Sequence, residues 1–200
     1  RREGKNLVWD MLDIDIQIPI VAAINGRAMG LGASVAPSCD IVFVAESARI
    51  GDAHVMVGDP HVMVGDPHVM VGVVAGDGGT FVWPLAVGPA LAKQYLLTGD
   101  PIEAAEAHRI GLVNFVTPHD GCSDQAIGFA RCIAANAPMA VQYTKLAVNE
   151  LRKDAANTAF DVATALETIA SNSNSNSNSN DHAEPLAAIA EKRTPIFESR

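Results

Sequence analysis

Two continuous apolar runs constrain this chain's fold more than any other feature of its sequence: Ile20-Val21-Ala22-Ala23-Ile24, and Ile41-Val42-Phe43-Val44-Ala45 behind Asp40. Neither alternates with polar residues, so each reads as a strand buried on both faces, over residues 20–24 and 40–45. The first closes on Asn25-Gly26. Between them lies Gly30-Leu31-Gly32-Ala33-Ser34-Val35-Ala36, small residues that let a helix begin close to a neighbour, with Pro37 as an interruption. Strand, turn, helix and strand in succession begin an α/β unit.

The rest is mostly helical in pattern. Residues 7–16 place Leu7, Met11 and Ile14 on one helical face that ends before Pro19. Residues 80–99 are helix-like after a Gly-rich start, and residues 101–110 carry Pro at the start and acids in the first turn of a helix that Gly111 stops. A short strand over 112–116 precedes helices at 124–135, 137–153, 157–170 and 184–192. An α/β core over residues 1–135 is thus followed by a helical region over residues 136–200.

Composition narrows the function classes. With 48% apolar and 18% charged residues in 200, the chain buries a continuous core and is not a disordered protein. Fourteen Lys and Arg against 23 Asp and Glu leave a net charge of −9, and the basic residues are scattered, so neither nucleic acid nor an anionic membrane is an expected partner. The N-terminus lacks an apolar core of a signal peptide, and Asp, Gly, Pro or His breaks every apolar run short of a bilayer's thickness. The expected location is the cytoplasm, or an organelle matrix if a targeting segment is missing. Cys39, Cys122 and Cys132 are odd in number and lack CxxC spacing, which reads as thiols in a reducing compartment rather than a disulfide framework or zinc site.

Two segments are of low complexity. Residues 54–72 read HVMVGDP, HVMVGDP, HVMVG; units this short cannot build a solenoid, and the reading is one strand-and-turn unit in extra copies. The even recurrence of His54, His61 and His68 follows from duplication and needs no metal. Residues 171–180 are Ser-Asn five times over, with nothing apolar to bury, and are expected to be a linker without regular structure.

The strand before Asn25-Gly26, then Gly30-Leu31-Gly32, Cys39-Asp40-Ile41, Gly76-Asp77-Gly78-Gly79-Thr80 and Leu97-Thr98-Gly99-Asp100, together resemble the crotonase family, also called enoyl-CoA hydratase/isomerase. Ala104-Ala105-Glu106-Ala107, Gly111-Leu112-Val113-Asn114 and Glu191-Lys192-Arg193-Thr194-Pro195-Ile196-Phe197 extend the likeness over almost the whole chain. The resemblance implies the crotonase-like ββα spiral, an α/β fold of stacked turns in two sheets, with a C-terminal helical region that makes a trimer or a dimer of trimers. It also implies an N-terminal βαβ region, carrying one of two oxyanion donors, that has no counterpart ahead of residues 7–16. Family spacing is kept if two HVMVGDP units are surplus, which makes His68 the copy in register with Asp77.

Family enzymes bind an acyl-CoA thioester and stabilise an enolate, so coenzyme A belongs to the substrate and no separate cofactor or metal is implied. A helix N-terminus supplies preorganised backbone donors to such an oxyanion. Matching the motif places the second donor at the Leu31 N–H, with Gly30, Gly32, Ser34, His68 and Gly78 around the substrate; taken alone, Gly30-Leu31-Gly32 reads more readily as tight strand-to-helix packing. Family hydratases carry Glu at two positions that here hold Ser34 and a repeated His. The acid on offer is Asp77, where similar isomerases carry one; by itself it also reads as a turn or N-cap residue. One carboxyl group suffices to move a proton between two carbons, so double-bond isomerisation is expected ahead of hydration, with a hydrolase-like relative or a catalytically silent assembly subunit as alternatives. Lys192 and Arg193 read either as contacts to the coenzyme A phosphates or as an exposed helix end.

Overall fold

The apolar runs pair with each other. In a computed structural model, which describes residues 16–28, 31–47, 49–50, 68–100, 102–176, 183–191, 193 and 195–197, the strands are β1 (Val21–Ile24), β2 (Arg27–Ala28), β3 (Ile41–Ala45), β4 (Arg49–Ile50), β5 (Ile102–Glu103) and β6 (Phe115–Thr117). They form two sheets of order β1-β3-β6 and β2-β4-β5. The first is wholly parallel, with Val21 opposite Ile41 and Phe43 opposite Phe115. In the second, β4 runs parallel to β2 and antiparallel to β5. Val42, Phe43, Val44 and Ala45 are all buried, as a parallel strand covered on both faces requires.

The helices are α1 (Leu31–Ser38), α2 (Gly79–Val87), α3 (Pro89–Thr98), α4 (Ala104–Arg109), α5 (Cys122–Ala134), α6 (Pro138–Asn176) and α7 (Ala183–Glu191). Trp83 on α2 lies at the centre of the core with Ile102, Ala92 and Cys122. Pro37 falls in the last turn of α1, where it withholds the N–H that would bond the Ala33 carbonyl and so helps end the helix. The Asp40 carboxylate then accepts from the Ile20 N–H at 2.7 Å and pairs with Lys145 Nζ at 2.8 Å. Lys145, on α6, also donates to the Ile18 carbonyl at 2.9 Å. One buried cation thus ties the long helix to the entry of both central strands.

Several expectations are corrected. The helix over residues 80–99 is two helices, because Gly88 at φ 82° followed by Pro89 ends one and starts the next. Residues 102–103 pair with β4 before α4 begins, so helix 101–110 is shorter than the pattern suggested. The strand expected at 112–116 is β6, shifted toward Thr117. Helices 137–153 and 157–170 are one, since Asp154-Ala155-Ala156 contains no breaker. That helix continues to Asn176 through the first part of the Ser-Asn run, so the linker without regular structure expected at 171–180 is helical over 171–176: extending a formed helix adds a hydrogen bond for each residue fixed. The last HVMVG copy is a 3₁₀ turn over His68–Val71 rather than a strand. Gly30, residues 7–15 of the helix expected over 7–16, the HVMVGDP copies holding His54 and His61, and Lys192 lie outside the described residues.

Candidate active site

α1 begins at Leu31, so the Leu31 N–H belongs to the first helical turn, whose amide donors have no partner within the helix. Gly32 is not forced by packing: a Cβ there would meet only the Ala28 Cβ, at 3.7 Å. The space beside it opens into a hollow of about 500 Å3 lined by Ala22 to Gly26, Ala28, Val35, Ala36 and Cys39. A helix start, whose first amides have no partner within the helix, beside a mostly apolar hollow suits a ligand with a developing anion on an apolar body.

One helical turn on, Ser34 is fully buried and its hydroxyl donates to Asp77 Oδ1 at 2.8 Å. The other carboxylate oxygen, Oδ2, lies 3.5 Å from His68 Nε2; both side chains are 14% exposed. Three residues singled out in the sequence, 34, 68 and 77, therefore meet at one point although they come from a helix, a 3₁₀ turn and a loop. Asp77 does not serve as the N-cap of α2; that position is taken by Gly78, whose φ of 125° excludes a side chain without strain. The turn at Gly78 releases the carboxyl group of Asp77 toward Ser34 and His68.

The sequence reading missed Glu167. It comes from α6, which packs on α2 through an edge-on Phe81–Phe160 pair with ring centroids 6.1 Å apart. Thr164 Oγ1 donates to the Gly76 carbonyl at 3.5 Å. A Cβ on Gly76 would overlap Glu167 Oε2 and come within 2.8 Å of Glu167 Cβ and 3.0 Å of the Ala163 carbonyl. The absence of a side chain at 76 thus forms a notch in which the C-terminal helix presses on the loop that carries Asp77. No local signal marks Glu167, because its meaning depends on a glycine in a distant loop. Arg193 is engaged by carboxylates: its Nη2 donates to Glu184 Oε2 at 2.9 Å and its Nε to Glu191 Oε2 at 2.6 Å. These bonds occupy much of the guanidinium that a phosphate would otherwise contact. Among the described residues no three His, Cys, Asp or Glu side chains gather as a metal cluster, and no helix is long and apolar enough to cross a membrane.

Parallel strands joined to a short helix, with a carboxylate on a glycine-bounded turn hydrogen-bonded to that helix, define an α/β protein. The chain belongs to the enoyl-CoA hydratase/isomerase family, whose model matches residues 2–200. It is 31% identical over 182 residues to the 2,3-dehydroadipyl-CoA hydratase of Escherichia coli (strain K12), covering 91% of this chain and 64% of that one. It is 35% identical to the crotonyl-CoA hydratase of Syntrophomonas wolfei, covering 91% and 62%. The chain thus spans a little under two thirds of the length of these curated relatives. The crystal structure of an enoyl-CoA hydratase/isomerase from Pseudoalteromonas atlantica T6c matches with a TM-score of 0.79 at 27% identity, over 97% of this chain and 68% of that chain. The crotonase fold expected from the sequence is the fold observed.

Proposed function

We propose that this chain belongs to an enzyme that binds an acyl-CoA thioester, receives the developing enolate oxygen at the Leu31 N–H, and moves one proton with Asp77, so that an enoyl-CoA double bond migrates. The observation that carries this reading is the hydrogen-bonded Asp77 carboxylate, with neither Ser34 nor His68 supplying a second carboxylate beside it. Removing a proton from the carbon next to a thioester needs the charge to be met as it forms, which a helix start does without reorganisation. Asp77 then holds the proton until it returns to a carbon further along the chain, and nothing leaves or adds. Gly30, Gly32, Gly78 and the hollow beside Gly32 belong to the acyl-thioester site in this reading. A trimer or dimer of trimers and a cytoplasmic location belong to it too.

A second reading is hydration, favoured by the hydratase names of the relatives in E. coli and S. wolfei. Product analysis separates the two. The full-length protein given a 3-enoyl-CoA is expected to yield the 2-enoyl-CoA faster than it yields a 3-hydroxyacyl-CoA from the 2-enoyl ester. A 2-enoyl-CoA that is hydrated to the 3-hydroxyacyl-CoA while the 3-enoyl-CoA is left unconverted contradicts isomerisation and supports hydration.

A further inference from the structure

The two oxygens of Asp77 are not equivalent. Oδ1 accepts from a hydroxyl that solvent does not reach, since Ser34 is fully buried. Oδ2 faces His68, and these two side chains are each 14% exposed, so the imidazole is a titratable neighbour of the carboxylate that itself reaches water. The separation of 3.5 Å is that of an ion pair rather than a short hydrogen bond, and a small rotation of either side chain brings the two atoms into proton-transfer reach. His is also the side chain whose two nitrogens let a proton enter on one side and leave on the other.

We infer that His68 is a proton relay between Asp77 and solvent, setting how much of the proton taken from the substrate is exchanged before it is returned. The inference rests on Asp77 being the acid/base. After Asp77 has taken the proton, the O–H bond at Oδ2 breaks and the proton joins the lone pair of neutral His68 Nε2. The imidazolium then gives its Nδ1 proton to water and is left as the Nε2–H tautomer, and the reverse sequence returns a solvent proton to Oδ2. No electron leaves the pair and no co-reactant is needed. His68 acts through Asp77 and touches no substrate atom in this account.

The test is isotopic. The full-length protein converts 3-enoyl-CoA to 2-enoyl-CoA in D2O, and mass spectrometry of the product gives deuterium incorporated per turnover, a ratio that partial loss of folded enzyme does not alter. The wild type is expected to incorporate solvent deuterium, and His68→Gln to lower the incorporation several-fold. In His68→Ala, added imidazole is expected to restore it, which a purely structural role for His68 would not allow. Unchanged incorporation in His68→Gln, or no restoration by imidazole in His68→Ala, overturns the relay. A wild type that isomerises through Asp77 while returning the substrate's own proton overturns the relay alone; one that neither isomerises nor exchanges overturns the relay together with the role of Asp77.

Discussion

Asp77 and Ser34 are separated by 43 positions in the chain and by 2.8 Å in space, and this pairing turns a glycine-rich turn into a site. Each residue alone was legible as a family position, but that Ser34 would support Asp77 was not, because a hydroxyl carries no signature of its partner. The same holds for Asp40. Its place after Cys39 marks it in the sequence, yet its work is to hold the Ile20 N–H and Lys145. The Lys145 side chain is 4% exposed, so its charge has little access to water if the pair is broken. Lys145→Met removes the cation and leaves the carboxylate at the strand entry partly buried, and is expected to cost about 3 kcal/mol. Denaturant unfolding of the full-length protein checks this; a loss below about 0.5 kcal/mol, the range of an ordinary surface substitution, would show that the pair does not hold α6 to the sheet.

At the scale of elements, the central strands were readable because a fully buried parallel strand leaves an unbroken apolar run, and β1 and β3 have one. Helix ends were readable only where backbone chemistry enforces them. Gly88-Pro89 does so by position, and noticing it splits residues 80–99 correctly. The reach of α6 into the Ser-Asn run was not readable, since composition reports what a segment can bury and not what a preceding helix propagates. After α7, the chain is secured by Glu184, which accepts from the Arg193 guanidinium and from the Ile196 N–H at 2.9 Å. The Arg193 hydrogen bond first, and the Ile196 amide second, lower the Glu184 pKa to about 2 from its ordinary 4.5. A carboxyl whose folded pKa is depressed contributes its tether fully above the ordinary value, and loses it as pH falls through the folded one. The Ile196 amide resonance is therefore expected to hold its position down to about pH 4.5 and to move as Glu184 titrates near pH 2. A midpoint at the ordinary glutamate value would contradict the clamp.

At the scale of the molecule, α6 has two separate apolar faces. Ala156, Phe160 and Ala163 are buried in the fold, whereas Val148, Leu151, Val162, Leu166 and Ile169 are exposed. Taken at 100° per residue, the exposed five fall on one sector of the helix, roughly a third of a turn from the buried set. An exposed apolar stripe this long marks an interaction surface. We propose that copies of the chain cover it, consistent with the trimer or dimer of trimers expected from the sequence. Light scattering of the full-length protein at micromolar concentration is expected to give a multiple of the chain mass, and Leu151→Asp with Leu166→Asp is expected to shift it toward the monomer. An oligomer unchanged by both substitutions would assign the stripe to another contact.

The central claim is that the Asp77 carboxylate carries the proton, and its most direct test is kcat for 3-enoyl-CoA isomerisation in the full-length Asp77→Asn variant. Asn keeps the size of Asp and its hydrogen bond from Ser34 but cannot take a proton, so the loss falls on the transition state alone. The account predicts that kcat falls by about 10²- to 10⁴-fold while KM changes little. A variant that retains the wild-type kcat contradicts it.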